Sequence, residues 1–383
     1  MKKRNLLLIL ITVYMILFAS VAAGAEADMD MLVINVRKAD CILLRSGEDL
    51  YMIDTGTAES WGRISAVLKT ENIHRLTGVI LTHTDGDHAG GLMALAGSDL
   101  EIGKFYTSAF YTCKENKHPA MLAAEIRDME ADLLMAGDVL PFGNGSLKVL
   151  GPVVPDKAEN NNSVVLLAEA GDCSFLLAGD MEFPEEKTLM GNGSLGPVDV
   201  LKVANHGESD ATGDAFASLV SPRIAVISTN SMDEPDTPSL RVIRALQTAG
   251  AEILNTQQAG KGIRIRAEAG KIAYEYLSFD TFPPKAEGIV IREKNIKNDS
   301  LTLENTGKTA VDLSGWYVYS ERGEEMFVIP EGTVLEAGKQ LMISALDSSK
   351  AGDLVWKQKK VWHKTKEDCA ILCDVYGRII TYN

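Results

Sequence analysis

The sequence predicts an α/β fold, helices layered on strands, followed by a second domain built of strands alone. Three observations predict it. The apolar run Gly78-Val79-Ile80-Leu81 is continuous rather than alternating, as in a strand covered on both faces. Strand-like and helix-like segments interleave from Asp30 to Leu277. Beyond a proline-rich break at Ser278 to Gly288, helical periodicity vanishes and short strands separated by turns take over.

The elements follow in order. Lys2, Lys3 and Arg4, the apolar run Leu6 to Ser20 and Ala23-Gly24-Ala25 form the three parts of a secretory signal over residues 1–25. The apolar run is shorter than the roughly 20 residues of a membrane span. Export with cleavage is therefore expected, with no stable transmembrane segment afterwards; an uncleaved membrane anchor is the alternative. "DMLVINV", "DCILLRSG" and "LYMIDTG" then read as consecutive hairpins, and Trp61 to Glu71 as a helix. Further helices are expected at Ala120 to Leu134, Asp214 to Leu219 and Ser239 to Ala249. Strands are expected at "SLKVLGP", "SVVLLAEA", "SFLLAGD", "DVLKVAN", "IAVISTN", "GIRIRAEAG" and "IAYEYLS". This first domain spans 28–281, and an all-β sandwich spans 286–383.

Apolar residues make up 46% of the 383, enough for a sizeable core. The formal charge of −15 becomes −18 once Lys2, Lys3 and Arg4 are removed. That field repels polyanions at long range and argues against nonspecific coating of nucleic acid. Cys41 and Cys173 fall in apolar strand text and belong to the core. Five scattered cysteines make no disulfide framework.

The chemistry concentrates in "THTDGDHAGG". The chain has six histidines, and His83 and His88 stand five residues apart among Asp85 and Asp87. Imidazole and carboxylate are the donors of zinc, manganese and iron sites. Glycines beside them let the backbone turn tightly. Two later strands end the same way: "SFLLAGDM" in Asp180, and "DVLKVANHGES" in His206. Alone, Asp180 reads as a turn residue and His206 as a surface histidine; together the three stretches point to a metal centre of one or two ions.

These stretches resemble the metallo-β-lactamase superfamily, and in particular the branch of ComEC-type DNA-uptake proteins and phosphorylcholine esterases. His83-x-Asp85-x-Asp87-His88 matches that branch's H-x-D-x-D-H. "MIDTG" resembles its early D-T-G strand end, and "ENNNSVVLLAE", "LLAGD" and "LKVANHGES" resemble its later motifs. The resemblance implies an αββα sandwich with metals at the mouth between two sheets. It implies one metal on His83, Asp85 and bridging Asp180, and another on Asp87, His88, Asp180 and His206. Asp54, Asn162, Ser163 and Asn205 would orient those ligands. It implies hydrolysis by a metal-activated hydroxide, with Asp87 as the catalytic carboxylate and a phosphodiester, nucleic acid or choline-phosphate-type, as substrate. Carboxylate-rich ligation tilts the choice of Zn or Mn toward Mn. The departures are Asn205 in place of a histidine, Asp236 and Thr237 where a late histidine is expected, and no histidine between His118 and His206.

In the second domain, Leu303-Glu304-Asn305, Asp312 to Trp316 and Phe327 to Gly338 resemble the lamin tail domain, an immunoglobulin-like sandwich. Trp316 is expected in its core. The resemblance implies a module that binds a cell-surface or envelope ligand. The competing functional reading is a non-enzymatic extracellular binding protein whose hydrolase fold has degenerated.

Overall fold

The structure is a computed structural model describing residues 27–231, 237–278, 285–320, 325–366, 368–375 and 379–383. The signal expected over 1–25 and the departure at Asp236 lie outside the described residues.

Two sheets face each other. From edge to edge the first runs Lys271–Leu277, Gly262–Glu268, Met29–Ile34, Ile42–Ser46, Asp49–Ile53, Gly78–Leu81, Phe105–Ser108 and Ala131–Leu134. The second runs Glu252–Asn255, Ile224–Ile227, Val200–Lys202, Cys173–Leu177, Val165–Ala170, Gly145–Gly151 and Val139–Phe142. The first sheet is antiparallel from Lys271–Leu277 to Asp49–Ile53 and parallel from there to Ala131–Leu134; the second is parallel from Glu252–Asn255 to Cys173–Leu177 and antiparallel beyond. Among the parallel strands, Gly78–Leu81 and Ile224–Ile227 are apolar and buried at every position.

Alternate residues of each strand point inward and make the middle layer. Met31, Val33 and Ile80 of the first sheet meet Leu166, Phe175 and Val226 of the second. Burying such a side chain contributes roughly 1.5–3 kcal/mol. Helices cover the outer faces. Helices α1 (Trp61–Thr70), α2 (Gly86–Ala89), α3 (Leu92–Gly97) and α4 (Pro119–Ile126) belong to the first half of the chain. Helices α5 (Phe183–Asn192), α6 (Asp214–Val220) and α7 (Leu240–Thr248) belong to the second. Helix α7 shows why its text folds so: Ser239 Oγ accepts the Val242 amide at 3.3 Å, and Val242, Ala245 and Leu246 bury one stripe. The result is the αββα sandwich that the resemblance implied.

One expected helix is shorter than its text suggested. Ala120 to Leu134 splits into α4 and the edge strand Ala131–Leu134, which pairs with Phe105–Ser108. Asp128 takes a left-handed φ of 55°. The Arg127 guanidinium bonds to the carbonyls of Ala96, Leu95 and Ser98. These contacts stop the helix, and sheet pairing outweighs the helical propensity of the following leucines.

The C-terminal region forms a β-sandwich. One sheet orders Ile289–Asn295, Ser300–Asn305, Gln340–Ala345 and Leu354–Trp356. The other orders Met326–Val328, Tyr317–Ser320, Ala370–Cys373 and Ile379–Tyr382. Trp316, Trp356 and Trp362 fill the core between them. Cys41 and Cys173 are buried as expected.

Candidate metal centre

Each candidate ligand stands where a strand leaves the core. His83 follows Gly78–Leu81, Asp85 opens the turn of α2, and α2 itself carries Asp87 and His88. Asp180 follows Cys173–Leu177, and His206 follows Val200–Lys202. Parallel strands direct their carboxyl ends to one mouth, the usual place for sites in such sheets.

Four side chains converge there. One ligand atom each from Asp87, His88, Asp180 and His206 lies within 4.8 Å of the others. His88 Nε2 is 3.1 Å from Asp180 Oδ2, and His206 Nε2 is 3.3 Å from Asp180 Oδ2 and from Asp87 Oδ2. His83 and Asp85 sit alongside, with His83 Nε2 3.7 Å from Asp85 Oδ2 and the His83 and His88 rings 4.1 Å apart. They are not part of the tight group of four.

Hydrogen bonds fix the rings. His88 Nδ1 faces Asp54 Oδ2 at 2.8 Å, and His206 Nδ1 faces the Ser228 carbonyl at 2.9 Å. With Nδ1–H donating, both Nε2 lone pairs turn toward Asp180. Asp54 is itself held by the Thr82 amide and hydroxyl, each at 2.7 Å. Ser163 Oγ lies 3.3 Å from His83 Nδ1 and accepts the Asp180 amide at 3.1 Å. Asn162 and Asn205 touch loops instead. Asn162 bonds with Asp156, and Asn205 Nδ2 donates to Asp210 Oδ1 at 3.1 Å.

The backbone at His206 is strained. Asn205 (φ 46°), His206 (φ 51°) and Gly207 (φ 82°) are three successive left-handed residues. Asn and Gly tolerate this; for histidine it costs about 1 kcal/mol or more. The strain places the imidazole over Asp180.

Electrostatics without an ion are those of trapped protons. Burial disfavours charged His88, but Asp180 and Asp54 together hold its pKa well above the ordinary value. Burial likewise opposes His206, yet Asp180 and Asp87 carry it up to about 9. Asp87 falls to about 2, burial opposing and His206 prevailing. His83 drops to about 4 through burial and the neighbouring His88 charge.

The donor set fits a divalent ion. His83, His88 and His206 each have a buried Nε2 without a hydrogen bond, as does Asp180 Oδ1. Ligands about 2.0–2.2 Å from one ion lie roughly 3–3.5 Å from each other. The 3.1 and 3.3 Å separations match that spacing.

Two further residues carry the site and were not singled out from the sequence. Lys202 is buried and reaches Asp40 Oδ2 at 2.7 Å; Asp40, Asp54 and His88 form a second close group. The signal for Lys202 was a lysine inside an apolar strand. Glu159 ties two loops: Oε1 accepts the Thr84 amide (3.1 Å) and hydroxyl (2.6 Å), and Oε2 accepts those of Thr112 (2.7 and 2.6 Å). Nothing in its local sequence marked Glu159.

Residues 34–98 match the model of the metallo-beta-lactamase superfamily, and 283–382 that of the Lamin Tail Domain. The chain is 27% identical over 296 residues to ComE operon protein 3 of Bacillus subtilis, covering 71% of this chain and 36% of that one. It is 27% identical over 226 residues to Recombination protein 2 of Haemophilus influenzae, covering 57% and 26%. The chain thus spans about a third of the length of the relatives it matches. Among solved structures, the metallo-beta-lactamase fold protein YhfI from Bacillus subtilis aligns at 12% identity and a TM-score of 0.38, over 65% of this chain and 100% of that one. By sequence, residues 34–98 are similar to the metallo-β-lactamase superfamily and residues 283–382 to the lamin tail domain, and the first domain is similar to part of ComE operon protein 3.

Proposed function

We propose that the protein is an exported, metal-dependent phosphodiesterase. The observation that carries the hydrolase reading is the converging group Asp87, His88, Asp180 and His206, in which His88, Asp180 and His206 are buried and both Nε2 atoms and Asp180 Oδ1 lack a hydrogen bond. Zn or Mn held there, one ion or two, would supply a Lewis acid and an acidified water. His83, Asp85 and Asp180 would hold the second ion.

The chain's own residues set the rest. Asp54 and the Ser228 carbonyl lock the His88 and His206 tautomers. Asp87, the most exposed of the four, would orient the attacking water and accept its proton. A relative named for recombination supports a nucleic-acid phosphodiester; a choline-phosphate-type ester is the other substrate of this class. The basic and apolar N-terminal segment supports export.

The test is metal content of the purified mature protein, then hydrolysis of bis(p-nitrophenyl) phosphate with Mn²⁺ or Zn²⁺. The control is the His88→Ala, Asp180→Ala double variant. Near-stoichiometric metal, with turnover lost in the variant, is the expected result. No metal and no difference between the proteins would refute the enzyme and leave the degenerate binding protein.

A further inference from the structure

The sequence suggests that the lamin tail sandwich is a separate appendage. The structure gives it a common core with the hydrolase domain. Tyr317, Tyr319, Met326 and Cys373 are buried among the residues that cover the outer face of the first sheet, including Trp61 and Leu95. Val328 and Ile371 pack against the same cluster. Tyr317 is fully buried, and its hydroxyl donates to the Glu59 carbonyl at 3.0 Å. At the margin, Lys357 Nζ donates to the Ile126 carbonyl at 3.3 Å.

The contact lies one step from the ligand loop. Glu59 belongs to the 3-10 turn Ala58–Ser60, which follows Asp54-Thr55-Gly56. That segment is pressed onto the end of α2. A Cβ on Gly90 would lie 2.4 Å from the Ala58 nitrogen, and one on Gly91 would lie 2.3 Å from the Thr55 carbonyl oxygen. Thr55 N donates to the His88 carbonyl at 2.7 Å, and its hydroxyl does so at 2.9 Å. The sandwich therefore grips the turn against which the His88 backbone rests.

We propose that the lamin tail domain is a structural part of the hydrolase, and that Tyr317 is a positioning residue acting on the Asp85–Gly91 loop through Glu59. Such close-packed contact leaves no void to absorb a shift, so displacement of the 54–60 segment moves the His88 backbone. The sheet containing Tyr317 is occupied by the hydrolase domain, so an external ligand of the sandwich must use another surface.

The proposal does not depend on bound metal, and neither does its test. In the full-length chain, Leu303→Ala opens the sandwich core away from the shared contact. Urea unfolding is followed by circular dichroism at 222 nm and by tryptophan fluorescence. Among the described residues all α-helices lie in the hydrolase domain, and three of the four tryptophans lie in the sandwich. Both midpoints should fall together. A fluorescence midpoint that falls while the 222 nm midpoint stays would overturn the coupling. Ile343→Val serves if Leu303→Ala does not fold. The second arm is Tyr317→Phe with amide hydrogen exchange. Exchange should quicken severalfold at 83–91 while strand Ser300–Asn305 keeps its protection. Unchanged exchange at 83–91 would refute the positioning role. Failure of the metal assay would leave both readouts intact.

Discussion

Replacing Lys202 with methionine should destabilise the protein by about 3–5 kcal/mol. The side chains of Lys202 and Asp40 are 1% and 2% exposed, and their charged atoms are 2.7 Å apart. At an effective dielectric of about 20, that separation corresponds to about 6 kcal/mol of attraction. Desolvation of the two ions offsets much of it. Methionine fills a similar volume, so no large cavity opens. What it leaves is the Asp40 carboxylate, buried and close to Asp54, with only the weaker attraction of His206 and His88 set against desolvation and the repulsion of Asp180. The assay is urea unfolding at 222 nm, read from the midpoint with the slope held common. The Asp40→Asn, Lys202→Met double variant removes the orphaned charge and should regain at least half of the loss. Asp40, now without its cation, would bind a proton more readily when folded, so the single variant's deficit should shrink as pH falls. A loss below about 1 kcal/mol, or a double variant worse than the single, would refute the view of a buried pair whose breakage leaves a charge stranded.

Three other outcomes follow from the geometry. In chelator, the His206 pair stabilises the protein fully below its unfolded value near 6.5, and this stabilisation is lost as pH rises through about 9; melting temperature should decline across that window, and Mn²⁺ affinity from calorimetry should climb over the same range as its proton is displaced. Asp54→Ala removes the partner of His88 Nδ1 and should weaken metal affinity about 10–100-fold by competition with a chelator, whereas an unchanged constant would deny the orienting role. Glu159→Gln gives up acceptor capacity shared by Thr84 and Thr112; it should cost about 1 kcal/mol, a modest value because Thr112 is exposed, and quicken amide exchange at 109–113.

Much of the site is written locally. His83, Asp85, Asp87 and His88 lie within one strand end and one helical turn, so short-range periodicity was enough to group them. Asp180 and His206 were readable because each ends an apolar strand. The hairpins, α1, α6 and α7 likewise follow from local patterning, with a side-chain cap at α7. Asp54 needed the family resemblance, since a D-T-G strand end alone does not say which imidazole it meets.

By itself, then, the sequence determined an α/β arrangement of helices and strands, the all-β sandwich that follows it and the residues of the ligand motifs, because these depend on periods of two or 3.6 residues and on turn chemistry, while the αββα order of the layers came with the resemblance. The tertiary structure decided the rest. It set His83 and Asp85 outside the tight group of four, gave Lys202 to Asp40, tied Thr84 to Thr112 through Glu159, and joined Tyr317 to Glu59. It also turned the text at Ala131–Leu134 into an edge strand. Each of these joins residues far apart in the chain, with Tyr317 and Glu59 separated by 258 positions. No local pattern encodes such a pairing; it follows from how layers pack once they have formed, and close packing leaves little choice of partner.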